Sequence, residues 1–456
     1  MPTTSSTIAL LPSTGHQPHE APIRFTCELI YHLTERHDVN TIFDLTAQEF
    51  AKQRDTLNLI ASENYPSQKV LDLLGSVWSN KYAEGTPGKR YYAGNVHADE
   101  METFVQQKAL EVFDTTGEYG VNVQVLSGSP ANTMVFLAML EAGDTIMSLN
   151  LANGGHLSHL HATSNYLKFF KLVNYDVKET VPGTYDIDED DFQAKLAQHK
   201  PKLVILGFSA YPRKYEFARL TKWAHEAGAL VLADIAHING LVAAGLHDTP
   251  FKSGIEGADF VSMTTHKTFR GPRAAMLFAK NDYLPAINKT IFPGTSGGPH
   301  LHAIAAVGQA LLEILGVDQH PDGRSFKDYS QAVLDTCKAL EAGCKAAGLE
   351  IVSPTQNHLC LVKLPNTVDS LEFQRLLERV GIITNRNMLP FDTKSAWRPS
   401  GMRFGTAALA SRGLSVKQAG ELGKLIGDLA HGKVTEDAAK AYSAGLAKQL
   451  KWWYRP

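Results

Sequence analysis

The sequence predicts an α/β fold in which helices flank a mostly parallel sheet, followed by a smaller C-terminal α+β domain. Short apolar segments alternate with helical segments between about residues 91 and 316, an order typical of parallel sheets. Two of these segments, LVILGF and VLADI, are almost continuously apolar, which indicates strands buried on both faces. Beyond about residue 323, long helical segments surround two short strands, so we expect a second domain there.

The elements follow from apolar periodicity. The predicted strands of the larger domain are 121–125, 145–149, 203–208, 230–235, 260–264 and 276–279, and its predicted helices include 99–113, 131–141 and 217–227. The smaller domain has predicted helices 326–347, 370–380 and 416–430 and predicted strands 360–364 and 402–405. We expect a partly flexible tail over 1–42, an N-terminal arm and the larger domain over 43–320, and the smaller domain over 321–456.

Composition excludes several classes of protein. The chain has 456 residues, 44% of them hydrophobic, and a formal net charge of −3, so it carries no basic footprint for nucleic acid. No apolar run approaches the roughly 18 residues that a membrane span needs. The four cysteines are Cys27, Cys337, Cys344 and Cys360. They form no CxxC pair and no disulfide framework, which favours a reducing, cytoplasmic location.

A lysine surrounded by cationic and hydroxyl side chains follows the strand at 260–264. The segment TTHKTFRGPR places Lys267 beside His266 and within reach of two arginines. A solvated surface charge would be the ordinary explanation for a lone lysine. Cationic neighbours lower the pKa of an amine, however, and make it nucleophilic, as Schiff-base chemistry requires.

An aspartate ends the preceding strand. Asp234 follows VLA, at the edge of an open α/β sheet where ligands bind. A helix cap is an equally good explanation for Asp234 taken alone. The functional alternative is a buried carboxylate that pairs with a protonated ring nitrogen, and Lys267 on the next predicted strand could reach the same site.

Two further loops follow strands. Ser127, Gly128 and Ser129 open a helix with Pro130 in its first turn, which suits an anion, although an ordinary capped turn has the same pattern. The segment NGGHLSH contains His156 and His159. No carboxylate or thiol stands at ligand spacing, so we expect no metal site, and we expect one histidine to lie flat against a planar cofactor.

These segments lie among longer motifs that resemble the serine hydroxymethyltransferase family. The motifs are LIASENY (59–65), NKYAEG (80–85), PGKRYY (87–92), SAYPR (209–213), GLVAAG (240–245) and TTHKTFRGPR (264–273). The resemblance extends from about Phe43 almost to the C-terminus. It implies a fold type I enzyme dependent on pyridoxal 5′-phosphate (PLP), working as a homodimer or a tetramer with active sites shared between subunits.

The resemblance also implies roles for individual residues. Lys267 would hold PLP covalently, Asp234 would hold the pyridinium nitrogen, His156 would stack on the ring, and Arg403 would bind the substrate carboxylate. Further cofactor contacts would come from Ser127, Gly128, Ser129, Ser209, His237, His266, Tyr82 and Gly298. Glu84 would be the acid–base group, and Ser62 and Tyr92 would also contact substrate. The folate positions match Leu151, Gly155, Leu157 and Asn387. Tyr82, Glu84, Tyr92 and Gly298 would reach the site of the neighbouring subunit.

The implied reaction transfers the hydroxymethyl carbon of serine to tetrahydrofolate, giving glycine and 5,10-methylenetetrahydrofolate. Two alternatives stay open: a β-hydroxy amino acid aldolase, transaldolase or α-methylserine-type transferase on the same scaffold, or a catalytically silent binding protein. Departures from the family pattern fall at Leu126, Pro130, Ala274-Ala275 and Thr295-Ser296. The chain ends KWWYRP, and its adjacent tryptophans predict docking against the smaller domain or a partner subunit.

Overall fold

A computed structural model describes residues 41–455. The predicted N-terminal tail, apart from residues 41 and 42, and Cys27 lie outside the described residues. The chain falls into two units, and residues 41–52 are the described part of the first, where they form most of a helix. The second unit is Gln53–Arg455.

The helices alternate with strands through most of the described chain. The α-helices are α1 (Ile42–Asp55), α2 (Gln68–Leu74), α3 (Val96–Phe113), α4 (Gly128–Met139), α5 (Glu189–His199), α6 (Phe217–Glu226), α7 (Asn239–Ala243), α8 (Leu284–Lys289), α9 (Leu301–Ile314), α10 (Phe326–Ala346), α11 (Ser370–Arg379), α12 (Ala407–Ser411), α13 (Val416–Ala430) and α14 (Glu436–Gln449). Shorter helical turns are Val77–Asn80, Leu151–Asn153, Leu157–His159, Asn165–Lys168, Gly254–Glu256 and Thr290–Thr295.

Within residues 41–455, the strands form two larger sheets and three small pairs. They are β1 (Leu57–Asn58), β2 (Gly85–Thr86), β3 (Lys89–Arg90), β4 (Tyr119–Asn122), β5 (Thr145–Leu149), β6 (Lys171–Tyr175), β7 (Val177–Val181), β8 (Thr184–Ile187), β9 (Leu203–Gly207), β10 (Leu230–Asp234), β11 (Phe260–Thr264), β12 (Ala275–Lys280), β13 (Glu350–Val352), β14 (Leu359–Lys363), β15 (Ile382–Ile383), β16 (Asn385–Asn387) and β17 (Gly401–Gly405).

The seven-stranded sheet has the order β4-β12-β11-β10-β9-β5-β6. β6, β5, β9, β10 and β11 run parallel, whereas β12 is antiparallel to both of its neighbours. Side chains of β10 alternate between two cores: Val231 packs on one face and Leu232 on the other. The predicted mostly parallel, doubly covered sheet is therefore confirmed.

A four-stranded antiparallel sheet has the order β13-β14-β17-β16. Its strands pack with α10 and α13 around a separate core that includes Cys337, Cys360 and Met402. The predicted domain boundary near residue 320 stays a prediction. Cys337, Cys344 and Cys360 are buried free thiols.

Several boundaries differ from the predictions by a few residues. The first predicted strand, 121–125, is observed as β4, and residues 123–125 continue as buried irregular chain. Helix α4 begins at Gly128 rather than 131, because Pro130 fits the first turn of a helix instead of preceding it. No helix within residues 41–455 combines the length and apolar character needed to cross a membrane.

Candidate active site

A cavity of about 450 Å³ opens at the carboxyl ends of the parallel strands. Asp234 ends β10, and the Lys267 turn follows β11, its immediate neighbour in the sheet. The lining residues come from loops that follow several strands: Ser62, Ser127, Gly128, Ser129, Leu151, His156, Leu157, Ser158, His159, Phe208, Ser209, Asp234, Ala236, His237, Thr264, His266, Lys267, Arg273 and Arg403. Most residues singled out in the sequence therefore meet in one place.

Lys267 is a buried amine with a lowered pKa. Its side chain lines the cavity, and only 7% of the residue is exposed. Burial lowers the pKa of Lys267 to about 8; Asp234 opposes this shift, while Arg403 reinforces it. An amine with such a pKa is partly unprotonated near neutrality, which a nucleophilic lysine requires.

Asp234 is held as a carboxylate. Its Oδ2 accepts a hydrogen bond from Asn132 Nδ2 and lies 2.9 Å from His159 Nε2, while its Oδ1 accepts from the backbone N–H of Ala236. Burial acts to raise the pKa of Asp234, but the His159 and Asn132 contacts outweigh it and hold the pKa below its usual range. A buried anion is thus ready to stabilise a protonated ring nitrogen.

Asn132 and His159 were not assigned roles from the sequence. Asn132 Nδ2 also donates to Ser158 Oγ, and Asn132 Oδ1 accepts from Ser262 Oγ. These contacts hold the amide in the orientation in which Nδ2 donates to Asp234. The available signal was the position of Asn132 in the helix that follows the Ser127 turn. His159, which belongs to the same short segment as His156, contacts the carboxylate directly.

His156 presents a neutral ring to the cavity. Burial lowers the pKa of His156 to about 4. The backbone N–H of Ser158 donates to Nδ1, so the proton of the neutral ring resides on Nε2. The ring is fixed in one orientation, as a ring that stacks on a flat cofactor must be.

The turn before α4 is suited to a phosphate. Ser127 caps α4 through its backbone and makes no side-chain capping bond, so its hydroxyl is available to a ligand. A Cβ at Gly128 would lie 2.7 Å from Thr264 Cγ2, so only glycine permits this close approach. The N–H groups of a first helical turn attract anions. Pro130 supplies no N–H, so fewer backbone donors remain.

Two hydrogen bonds to other parts of the chain orient the guanidinium of Arg403. Its Nη1 donates to the carbonyl of Ser209 at 2.7 Å, and its Nε donates to Asn385 Oδ1 at 3.1 Å. Burial lowers the pKa of Arg403 to about 10, which still leaves it cationic. Ser209 in turn donates from Oγ to the carbonyl of Gly155. A fixed guanidinium in a cavity is suited to a carboxylate.

His237 lies above a second buried histidine. His237 Nδ1 is 3.1 Å from Nε2 of His358, a fully buried residue that the sequence analysis did not select. Burial lowers the pKa of His358 to about 3 and holds that of His237 well below its usual value. Both rings are therefore neutral, and one of the two nitrogens donates a hydrogen bond to the other.

Lowering the pH from about 6.5 to about 4 is expected to destabilise the fold. His237 and His358 are neutral when folded, whereas unfolded histidines titrate near 6.5. The unfolded chain binds more protons across this window, so the free energy of unfolding rises with pH. Urea unfolding at several pH values measures the slope. His358→Gln is expected to make this slope shallower; a slope equal to that of the wild type would contradict the prediction.

A second group of selected residues lies outside this cavity. The rings of Tyr82 and Tyr92 meet edge-on at 5.4 Å, and the Glu84 carboxylate raises the pKa of Tyr92. A Cβ on Gly298 would lie 3.0 Å from Tyr82 Cε2. Among the described residues that line the Lys267 cavity, none belongs to this group, which we call the tyrosine–glutamate cluster (Tyr82, Glu84, Tyr92, Gly297 and Gly298).

The folate positions divide in the same way. Leu151 and Leu157 line the cavity, and Leu157 is 60% exposed. Gly155 is not among the described residues that line the cavity, and its carbonyl accepts a hydrogen bond from Ser209 Oγ. Asn387 belongs to β16, and its amide donates to the carbonyl of Met388 at 2.6 Å rather than lining the cavity. Residues 41–455 contain no group of three or more side chains arranged to hold a metal ion.

The donor set matches the chemical needs of PLP: an amine for its aldehyde, a carboxylate for its ring nitrogen and a helix N-terminus for its phosphate. With the sheet topology, these groups define a PLP-dependent enzyme of fold type I. The family model described as serine hydroxymethyltransferase matches residues 35–426, most of the chain. The chain belongs to the serine hydroxymethyltransferase family, which makes it a PLP-dependent transferase of serine and glycine one-carbon metabolism.

Proposed function

We propose that the chain is a glycine hydroxymethyltransferase, which moves the hydroxymethyl carbon of serine reversibly to tetrahydrofolate and forms glycine and 5,10-methylenetetrahydrofolate. The observation that carries the proposal is the convergence of Lys267, Asp234 and Arg403 on one cavity. Family membership supports the reaction class. The exposed Leu157 beside Leu151 offers an apolar surface where a pteridine ring could bind.

The chain's residues perform distinct tasks in this reaction. Arg403 binds the carboxylate of serine and so orients the bonds at its α-carbon. Lys267 Nζ, with its lowered pKa, would hold PLP through its aldehyde, and as a free amine it would accept a proton or return one to the substrate. PLP, when bound, supplies an electron sink for the pair released at the α-carbon. Asp234 keeps a negative charge against the ring nitrogen, which maintains that capacity.

Other residues would hold the cofactor in place. Ser127, Gly128 and Ser129 would bind its phosphate at the N-terminus of α4. His156 would cover one face of its ring, and Ser209, His237 and His266 would line the remaining wall. Ser62 enters the same cavity and would contact substrate.

We propose that the tyrosine–glutamate cluster completes the cavity of a second subunit in a homodimer or larger assembly. Glu84 would handle the proton on the substrate hydroxyl, with Tyr82, Tyr92 and Gly298 beside it. The exposure of large side chains supports this: Tyr82 is 55% and Tyr92 50% exposed. Isologous contact between two copies would bring each cluster to the other cavity. The buried free thiols agree with our proposal of a cytoplasmic location.

The first experiment measures the visible spectrum of the purified protein with glycine, before and after tetrahydrofolate is added. We expect a strong long-wavelength band only when both are present, because folate binding beside Leu157 alters the proton equilibrium at the glycine α-carbon. Serine-dependent formation of 5,10-methylenetetrahydrofolate is measured in parallel.

Each other outcome identifies an alternative. A response to glycine that ignores tetrahydrofolate would contradict the proposal and favour the aldolase or transaldolase. A preference for α-methylserine over serine would indicate the related transferase. A protein that shows no visible absorbance of covalently held PLP would favour the catalytically silent relative.

A further inference from the structure

The C-terminal residues 451–455 lie against the segment that precedes α2. Trp453 Nε1 donates to the carbonyl of Pro66 at 3.0 Å, and Tyr454 OH donates to the same oxygen at 2.8 Å. The backbone N–H of Arg455 donates to Gln68 Oε1. Two side-chain donors on one carbonyl fix this segment more firmly than packing alone, since losing them leaves a polar oxygen without its partners.

Aromatic contacts extend the attachment. Tyr65 meets Trp452 edge-on at 5.4 Å and Tyr454 at 6.3 Å, and Arg412 lies 5.3 Å above the Trp452 ring. The ring of Trp453 meets that of buried His320 at 4.7 Å. The C-terminal segment is thus an ordered part of the fold, held by these four aromatic or cationic contacts and by the hydrogen bonds to Pro66 and Gln68.

The segment that receives these contacts leads directly to the active site. Asn64, two residues before Pro66, donates from Nδ2 to the backbone carbonyl of Lys267 at 2.7 Å. The same amide group donates to Tyr329 OH, and its Oδ1 accepts from Ser411 Oγ. Ser62, two residues earlier, lines the cavity. Pro66 is therefore linked to the carbonyl of Lys267 through two residues of backbone and one hydrogen bond.

A second set of contacts connects the C-terminal segment to Arg270, on the other side of the Lys267 turn. Lys451 Nζ donates to the carbonyl of Asp322, whose carboxylate forms a buried ion pair of 2.8 Å with Arg270. Arg270 has a φ of 64°, an uncommon conformation for a non-glycine residue, and its N–H donates to the carbonyl of Lys267. Both donors to this carbonyl are therefore supported by the C-terminal segment.

We propose that Trp453 and Tyr454 are positioning residues, which act through Pro66 and Asn64 to hold the Lys267 turn in the geometry that binds PLP. The inference rests on the role of Lys267 in the proposed function. It predicts that loosening the C-terminal segment affects cofactor retention and the titration of Lys267 more than it affects folding.

The test replaces both donors and keeps an aromatic ring at each position: Trp453→Phe with Tyr454→Phe. We expect PLP to leave the variant about tenfold faster on dilution, followed by loss of visible absorbance, because the Pro66 carbonyl loses both of its side-chain donors. We also expect a shift in the pH at which the visible band titrates. Leu446→Ala is the matched control, since it opens a buried site in the core on which the neighbouring helix α14 packs.

The control separates positioning from stability. We expect Leu446→Ala to lower the thermal midpoint at least as much as the double variant and to retain PLP at the wild-type rate. Wild-type retention and titration in the double variant would overturn the inference, as would PLP loss that follows thermal stability in both proteins. Failure of the proposed function would look different, because Lys267→Ala would then keep the covalent chromophore.

Discussion

Replacing Lys267 with alanine is expected to remove the visible absorbance of covalently held PLP and to reduce turnover of serine roughly a thousandfold or more, as loss of a nucleophile does in other enzymes. The reason is geometric: among the described residues that line the cavity, Lys267 is the one amine, and its pKa of about 8 suits it to act as a nucleophile. Absorbance spectra, reduction with borohydride followed by peptide mass analysis, and steady-state assays measure the effect.

A lysine at the end of the neighbouring strand supplies the control. Lys280 ends β12 and donates from Nζ to the carbonyl of Gly254, and it is not among the cavity residues. We expect Lys280→Ala to keep the spectrum and the activity. Unchanged absorbance and turnover in Lys267→Ala would exclude the assignment, whereas losses in both variants would point to unfolding instead.

The presence of Lys267 and Asp234 in one site could be predicted from the sequence because it depends on the order of strands along the chain. Each residue follows a buried strand, and those strands are neighbours in the parallel part of the sheet, so both side chains reach one edge. The strands that are buried on both faces could also be predicted, since such burial leaves a continuous apolar run in the sequence. β6 gave a weaker signal because it is the edge strand of the sheet and only its last residue, Tyr175, is buried.

Other parts of the site depend on contacts between distant segments. His358 meets His237 across 121 positions of the chain, and Asn64 meets Lys267 across 203. Nothing in the local pattern of either segment indicates these contacts, because they arise from the packing of the whole fold. The role of the terminal tryptophans was open for the same reason.

Glu84→Gln is expected to leave PLP bound and to reduce folate-dependent turnover of serine by about 10²- to 10⁴-fold, the range typical of a lost acid–base group. The amide keeps the size of the side chain, so the loss isolates the proton transfer. Spectra with glycine show whether substrate still binds, and the rate with serine and tetrahydrofolate gives the effect. Glu100→Gln is the control, because Glu100 is an exposed carboxylate that pairs with His97.

Mixing the two inactive proteins tests where Glu84 acts. Glu84 lies with Tyr82 and Gly297, outside the cavity of its own chain, so we expect it to serve a second subunit. A Lys267→Ala subunit paired with a Glu84→Gln subunit then contains one cavity with both an intact lysine and an intact glutamate. After co-refolding at equal amounts, half of the dimers are mixed, so activity should return to about a quarter of the wild-type value. If Glu84 acted within its own chain, each site would lack one group and the mixture would stay inactive.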